Sequence, residues 1–441
     1  MSSMQAKLSP DPQPNPEGIA ELSITVGEIV LTRLVRSGTS TSSDAARIPA
    51  APLGFWIADH WWRLRWEPKS ANPNDDWRIA HSMPAIGHGH AWPPITIWGD
   101  RDRVMLVSRA DPPGVASPVR YLTNAVAFAR GTDFEAVTDS LLDASMAMAP
   151  EREKAALKAL IQALREERAS PEYTKWRRME ALCGFDPDEA PETLVESMLE
   201  NCETYGVEDA EEAASAAPGL DTATTLANVV ALAERGPTVD FGPAVEAVKL
   251  QRQMVHGIPP WVLAEEAAKV VRRQIVGLTE PVWNKRLAEL AAISVAELKD
   301  RNTESVPYGL RLSREGVGQN LLMTARWSFD RRFQLARAIG DAVWTGGSSL
   351  GPMSGAATAR QKFQRAFAAT LLCPIEGLDA FLDGQEPTDS DIAAAARHFH
   401  VNERTVRTVL VNKHLMERRR LGQPLSDPTD ESRLDQVAEV A

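Results

Sequence analysis

Along Arg331 to Trp344 the apolar side chains Phe333, Ala336, Ile339, Gly340, Val343 and Trp344 recur at three- and four-residue steps. That spacing predicts an amphipathic helix whose stripe packs on a core. A glycine- and serine-rich loop, Gly346 to Gly355, follows it, and a second helix runs from Ala359 to Pro374. Upstream, Trp261 to Val276 carries Val262, Ala264, Ala267, Ala268, Val271 and Ile275 at helical spacing and stops at Gly277, which suits a C-terminal turn. Lys285 to Ile293 predicts a further helix. Near the C-terminal end, Asp391 to Phe399 predicts a short helix and His400 to Asn402 a turn. Asn402 is suited to cap the next helix, Glu403 to Val411.

The N-terminal pattern is different. Glu21 to Ala110 shows β-branched runs broken by turns, and Ile95 to Trp98, Gly99-Asp100-Arg101-Asp102 and Val104 to Val107 predict a hairpin. Seven of the twelve tryptophans (Trp56, Trp61, Trp62, Trp66, Trp77, Trp92 and Trp98) fall here, which marks a compact, mainly β module. They read first as its core, with a stacking platform for bases as the rival reading. Phe134 to about Ile275 is helical, and Glu151 to Ala169 has the Ala, Leu, Lys and Glu composition of a solvent-bathed helix.

The expected fold class is α+β. The expected divisions are a disordered leader (1–20), a Trp-rich β-containing module (21–130), an acidic helical region (131–260), a C-terminal domain (261–421) with a helix-turn-helix-like segment (389–413), and a disordered tail (422–441). Gly257 to Pro260 is the preferred boundary into the C-terminal domain.

Composition narrows the class. The 441 residues suffice for two or three full cores, and no run approaches the roughly eighteen apolar residues needed to span a membrane. Three scattered cysteines, Cys183, Cys202 and Cys373, point to reduced thiols and a cytoplasmic setting. The net charge of −12 argues against a dedicated nucleic-acid binder, yet it is unevenly spread. No Lys or Arg occurs between Arg178 and Arg235, and eleven acids fall from Asp186 to Glu212. Such a run reads as a solvated face, or as a surface for a basic partner.

Candidate chemistry lies in three places. His81, His88 and His90 with Asp75 and Asp76 lack the spacing of a zinc site, and a nuclease built on Glu67, Asp75 and Asp76 lacks a following lysine. In the C-terminal helix pair, Arg404, Thr405, Arg407 and Thr408 lie on the first half of the second helix, where a recognition helix meets base edges and phosphates. Lys413 and Arg418, Arg419 and Arg420 extend that basic surface. The third place is the helix around Arg337.

The order Arg331-Arg332-Phe333-Gln334-Leu335-Ala336, a glycine-rich loop, and a helix ending Phe367-Ala368-Ala369-Thr370-Leu371-Leu372-Cys373-Pro374 resembles the ImmA/IrrE family of zinc peptidases. The likeness spans roughly Trp261 to Leu421, and it implies that Tyr308 to Leu312 and Gln319 to Ala325 form a small sheet before the active-site helix. In the family, two histidines four apart bind zinc and a glutamate beside the first is the general base. The matching positions here are Arg337, Ala338 and Asp341. Arginine offers a metal no lone pair, and alanine takes no proton from water. No Asp or Glu lies between Asp341 and Glu376 to serve as the family's third ligand. Arg337 and Asp341, four apart, are expected to form an ion pair where the metal would lie. Arg332, Gln361, Gln364 and Arg365 complete a candidate pocket.

These readings predict a non-catalytic ImmA/IrrE-like regulatory or interaction protein without metal or cofactor. The family implies a protein partner, a transcription regulator or another component of a bacterial stress-response, mobile-element or phage-defence locus. A DNA-binding regulator is the first alternative. A metallopeptidase acting on a repressor is the second, with its zinc ligands absent.

Overall fold

A computed structural model describes residues 3–12, 18–38, 41–70, 72–112, 117–249, 258–300, 305–314, 318–383 and 387–417. The tail from 422, Gly257, Arg418 to Arg420 and, of the expected leader, residues 1–2 and 13–17 lie outside them; Met4–Pro10 of that leader is a strand and not disordered, because its backbone pairs with Ala20–Val26. The fold is mixed α and β, 54% helix and 17% strand in several small sheets, so helices carry most of the packing. No helix among the described residues is long and apolar enough to cross a membrane. The chain divides into two compact units, one running to Leu199 and including Pro218–Leu220, the other formed by Glu200–Ala217 and the residues from Asp221 onward. The helical stretch 131–260 is therefore shared between the two.

In the first unit, β1 (Met4–Pro10) and β2 (Ile19–Val26) pair antiparallel from Met4↔Val26 to Pro10↔Ala20. Ala20, Leu22, Ile24 and Val26 alternate into the core with the period of two that a strand imposes. The short β3 (Ile29–Val30), β4 (Leu34–Arg36), β5 (Ser42–Ser43) and β6 (Ala46–Pro49) follow, with β3 and β6 pairing β2. The next elements are α1 (Ala50–Trp66) and α2 (Asp75–His81). The expected hairpin is present as β7 (Ile95–Asp100) and β8 (Arg103–Ser108), in register from Ile95↔Ser108 to Asp100↔Arg103. Gly99 is required there, because a Cβ would sit 2.1 Å from the Arg65 carbonyl oxygen. β9 (Val119–Tyr121) pairs β4 and β10 (Ala125–Arg130) pairs β8.

Three further helices of this unit, α3 (Gly131–Met148), α4 (Glu151–Ala169) and α5 (Pro171–Leu182), all pack on α1. Four of the seven N-terminal tryptophans stand on α1, not on strands. Trp56, Trp61 and Trp62 are buried, with indole N–H groups donating to the Ile79 carbonyl, Thr138 Oγ1 and Glu167 Oε2 at 3.0, 3.0 and 2.9 Å. Helical spacing through Leu53, Trp56, Trp61 and Leu64 outweighs the tryptophans' strand preference.

Following α6 (Glu192–Tyr205), the second unit contains α7 (Val207–Ala216), α8 (Thr222–Ala233), β11 (Thr238–Val239), α9 (Gly242–Lys249), α10 (Pro260–Ile275), α11 (Asn284–Glu289) and α12 (Val295–Lys299). Then come β12 (Gly309–Arg314), β13 (Gly318–Leu322), α13 (Ser328–Thr345), β14 (Leu350–Met353) and α14 (Ala359–Leu372). The chain continues through α15 (Ile375–Leu382), α16 (Asp389–Phe399) and α17 (Glu403–Asn412). β11, β13, β12 and β14 form an antiparallel sheet in that order. β14 lies inside the stretch expected to be a loop. Its Leu-Gly-Pro-Met sequence has no strand alternation, and Pro352 is tolerated because β14 is an edge strand.

α14 packs against both α10 and α13. Gly340 lets α13 and α14 approach closely, since a Cβ would meet the Phe367 ring at 2.9 Å. α16 and α17 pack together, and Asn402 Oδ1 caps α17 by accepting the Thr405 N–H at 2.7 Å.

Candidate functional site

The heart of the second unit is polar where its neighbours are apolar. Asp341 of α13 is wholly buried among Ala338, Ile339 and Ala342, and both its oxygens accept hydrogen bonds. Oδ1 accepts from Arg360 Nε at 2.6 Å and from Gln364 Nε2 at 2.7 Å. Oδ2 accepts from Arg311 Nη2 at 2.9 Å and Arg360 Nη2 at 3.0 Å. Arg311 comes from β12, while Arg360 and Gln364 are one helical turn apart on α14. Gly351 on β14 makes room, because a Cβ there would stand 2.1 Å from Asp341 Oδ2.

Two more carboxylates arrive from α7. Asp209 Oδ1 accepts from Arg360 Nη1 at 2.8 Å, and its Oδ2 accepts the Leu350 N–H at 2.8 Å. Glu212 Oε1 accepts from Thr358 Oγ1 at 2.7 Å and Gln361 Nε2 at 2.9 Å. Asp209, Glu211 and Glu212 are buried, so this end of the acidic run is interior, not the solvated face its composition suggests.

The electrostatics follow from the partners. Burial alone would raise the Asp341 pKa, but the Arg360 and Arg311 guanidiniums outweigh it and hold the carboxyl below its usual 3.8. Arg360 is desolvated, yet Asp341, Glu212 and Asp209 raise its pKa above the ordinary arginine value. Arg337 has the reverse balance, since burial and the like charge of Arg365 draw it down to about 9.

Arg337 does not pair with Asp341 as expected. Its Nη2 donates to the Ser354 carbonyl at 2.7 Å and to Gln361 Oε1 and Gln364 Oε1, so Arg311 and Arg360 hold the aspartate instead. Of the other expected pocket residues, Gln361 and Gln364 belong to the network. Arg365 donates to the Ala356 carbonyl at 3.1 Å. Ala338 is a buried core residue on α13. Arg332 is elsewhere, with guanidinium donors on the His400 and Val282 carbonyls and Asn284 Oδ1, tying the α16–α17 turn to the start of α11.

Zinc does not fit these residues. Both Asp341 oxygens already accept from cationic or amide donors, and the two positions beside it carry a guanidinium and a methyl group. Among the described residues no group of three or more His, Cys, Asp or Glu is placed to hold a metal ion.

Four of the five helix-turn-helix candidates are engaged within the fold. Arg407 pairs with Asp389 at 3.1 Å and Glu403 at 3.7 Å, and Lys413 pairs with Glu265 at 2.7 Å. Thr405 is buried and its hydroxyl donates to Asn402 Oδ1. Thr408 donates to the Arg404 carbonyl, and the Arg404 side chain is exposed at the start of α17.

In the first unit, Glu67, Asp75 and Asp76 do not converge on one point. Arg63 separates Glu67 (2.6 Å) from Asp76 (2.9 Å), and Asp75 pairs with Arg78 at the surface. His81 is buried between Glu67 Oε2 and the Ile97 carbonyl and stacks on Trp77, whereas His88 is exposed. No protein-family description, curated protein or solved structure matches the chain.

Arg311, Arg360, Asp209 and Glu212 were not among the candidates from the sequence. Arg360 carried a usable signal, four residues before Gln364 on a helix face opposite Asp341. Nothing in the local sequence of α7 marks Asp209 and Glu212 apart from the acids around them.

Proposed function

We propose that the chain is a non-catalytic ImmA/IrrE-like regulatory or interaction protein, a pseudo-peptidase that keeps the helical frame as a recognition surface. One observation carries this reading. Where the family resemblance expects two metal-binding histidines and a general base, α13 presents Arg337, Ala338 and Asp341, and the carboxylate is committed to Arg311 and Arg360. A metal at Asp341 would have to displace two guanidiniums from a buried carboxylate, a change that removes their compensation. The proposed partner is a transcription regulator or another component of a stress-response, mobile-element or phage-defence locus, and the proposed setting is the bacterial cytoplasm. The finer domain layout, with an ImmA/IrrE-like unit from Trp261 ending in a helix-turn-helix-like pair, belongs to the same proposal.

The test is metal analysis of protein purified without chelator, together with incubation against a helix-turn-helix repressor. The expected result is substoichiometric zinc and an intact repressor. One zinc per chain that is lost in Asp341→Ala, with cleavage stopped by a chelator, would overturn the reading.

DNA is the alternative partner, favoured by the α16–α17 pair and the exposed Arg404. The carboxylates on Arg407 and Lys413 weigh against it.

A further inference from the structure

We infer that α7 is a built-in occupant of an anion-binding cleft, and that an acidic helical peptide from a partner can take its place. The inference rests on reading the α13–α14 frame as a recognition surface and names what that surface would recognise.

Charge is the first argument. The elements lining the site, β12, α13 and α14, bring two guanidiniums (Arg311 and Arg360) onto a single buried carboxylate, Asp341, and hold a third, Arg337, on the Ser354 carbonyl, Gln361 and Gln364. Arg365 stands near enough to Arg337 to act on it as a like charge. Asp209 and Glu212 of α7 supply the two missing negative charges. Without α7 the site is a basic cleft, and Arg–carboxylate recognition is the chemistry that such a cleft offers.

Geometry is the second. β14 is the edge of its sheet, and α7 packs on it, with Asp209 accepting the Leu350 N–H from that edge. The contacts from Asp209 and Glu212 are hydrogen bonds to two carboxylates three residues apart, one turn of helix. Any helix carrying two acids at that spacing presents the same groups.

Little apolar bulk holds α7: seven of its ten residues are buried, but four of these, Asp209, Glu211, Glu212 and Ser215, are polar. Its remaining buried side chains include Ala210, Ala213 and Ala214, which contribute far less apolar area than the leucines and phenylalanines joining α13 to α14. Gly206 (φ +92°) precedes the helix and Gly219 (φ +133°) follows it, and a Cβ at either would meet nothing within 4 Å. No side chain caps its N-terminus. The Arg337 Nε is buried without a hydrogen-bond partner, so one donor of the cleft remains that α7 does not satisfy.

The test uses the full chain and a fluorescein-labelled peptide with the sequence of residues 205–217. Hydrogen–deuterium exchange of the unmodified protein should show α7 amides exchanging at least tenfold faster than those of α13 and α14. Excess peptide should alter α7 exchange alone. The Asp209→Asn/Glu212→Gln variant should bind the peptide at least tenfold more tightly than the unmodified chain, and a peptide bearing the same two substitutions should not bind. Exchange of α7 in step with α13 and α14 would overturn the inference, whether or not the variant folds. So would a folded variant that binds both peptides equally or neither. Zinc content and repressor cleavage, which test the pseudo-peptidase reading, are independent of these readouts.

Discussion

Arg360 and Asp341 fasten α13 to α14 through two hydrogen bonds, Nε to Oδ1 at 2.6 Å and Nη2 to Oδ2 at 3.0 Å, with both residues buried. The fork of the guanidinium matches the carboxylate, and its third nitrogen reaches Asp209 on α7. One arginine thus joins three helices. Arg311 and Gln364 fill the remaining acceptor positions on Asp341.

Removing Asp341 would leave two buried guanidiniums without their main counter-charge. Asp341→Ala is expected to lose about 3–5 kcal/mol of stability in the second unit, the usual cost of breaking a buried pair from one side. Urea unfolding followed by a probe in that unit measures it. An Asp341→Ala/Arg360→Met double variant should lose less than the two single changes added together, because the surviving charge is removed with its partner. Strict additivity would mean that the pair is not coupled.

The same pair sets a pH dependence. Because the folded-state pKa of Asp341 is lowered from 3.8, its contribution is fully present above that value and is lost as pH falls through the folded pKa. The stability gap between the unmodified protein and Asp341→Asn should therefore be constant from neutral pH down to about 4 and narrow below it. A gap that narrows already between pH 7 and 5 would contradict the direction of the shift.

How far these features were legible in the sequence depends on the distance over which they act. The β7–β8 hairpin was readable because its turn and both strands lie within fourteen residues of one another. The α13 and α14 stripes were readable from helical period alone. The α1 tryptophans were readable as core but not as helix, since their strand preference competes with the helical spacing. The Arg360–Asp209 contact joins residues 151 apart in sequence and Thr358–Glu212 joins residues 146 apart, so no local pattern announces them. Charge composition misled there, because an acidic run is usually solvated, and only tertiary structure shows which acids face arginines.

In the first unit, Gly99→Ala should destabilise strongly, because its Cβ would lie 2.1 Å from the Arg65 carbonyl oxygen and 2.6 Å from the Trp66 nitrogen. Both clashing atoms belong to the backbone of α1, so no side-chain rotation relieves them. The expected loss is at least the roughly 1–3 kcal/mol of an overpacked core. Thermal unfolding of this variant measures it, and an unchanged midpoint would show that β7 and α1 can separate without cost.

Fluorescence anisotropy against mixed-sequence duplex and single-stranded DNA, at low and at physiological salt, separates the leading reading from its DNA-binding alternative. Arg407 is shared by Asp389 and Glu403, and Lys413 by Glu265, which leaves Arg404 as the exposed arginine at the head of α17. A phosphate approaching Arg407 or Lys413 must compete with carboxylates already within ion-pair distance. The expected outcome is weak binding at low salt, with a shallow salt dependence of one or two contacts' worth (a slope of about −1 to −2 in log K against log salt) and little change in an Arg404→Ala/Arg407→Ala variant. A slope several times steeper, abolished by that double substitution, would put the helix-turn-helix on DNA and make the α13–α14 frame secondary to it.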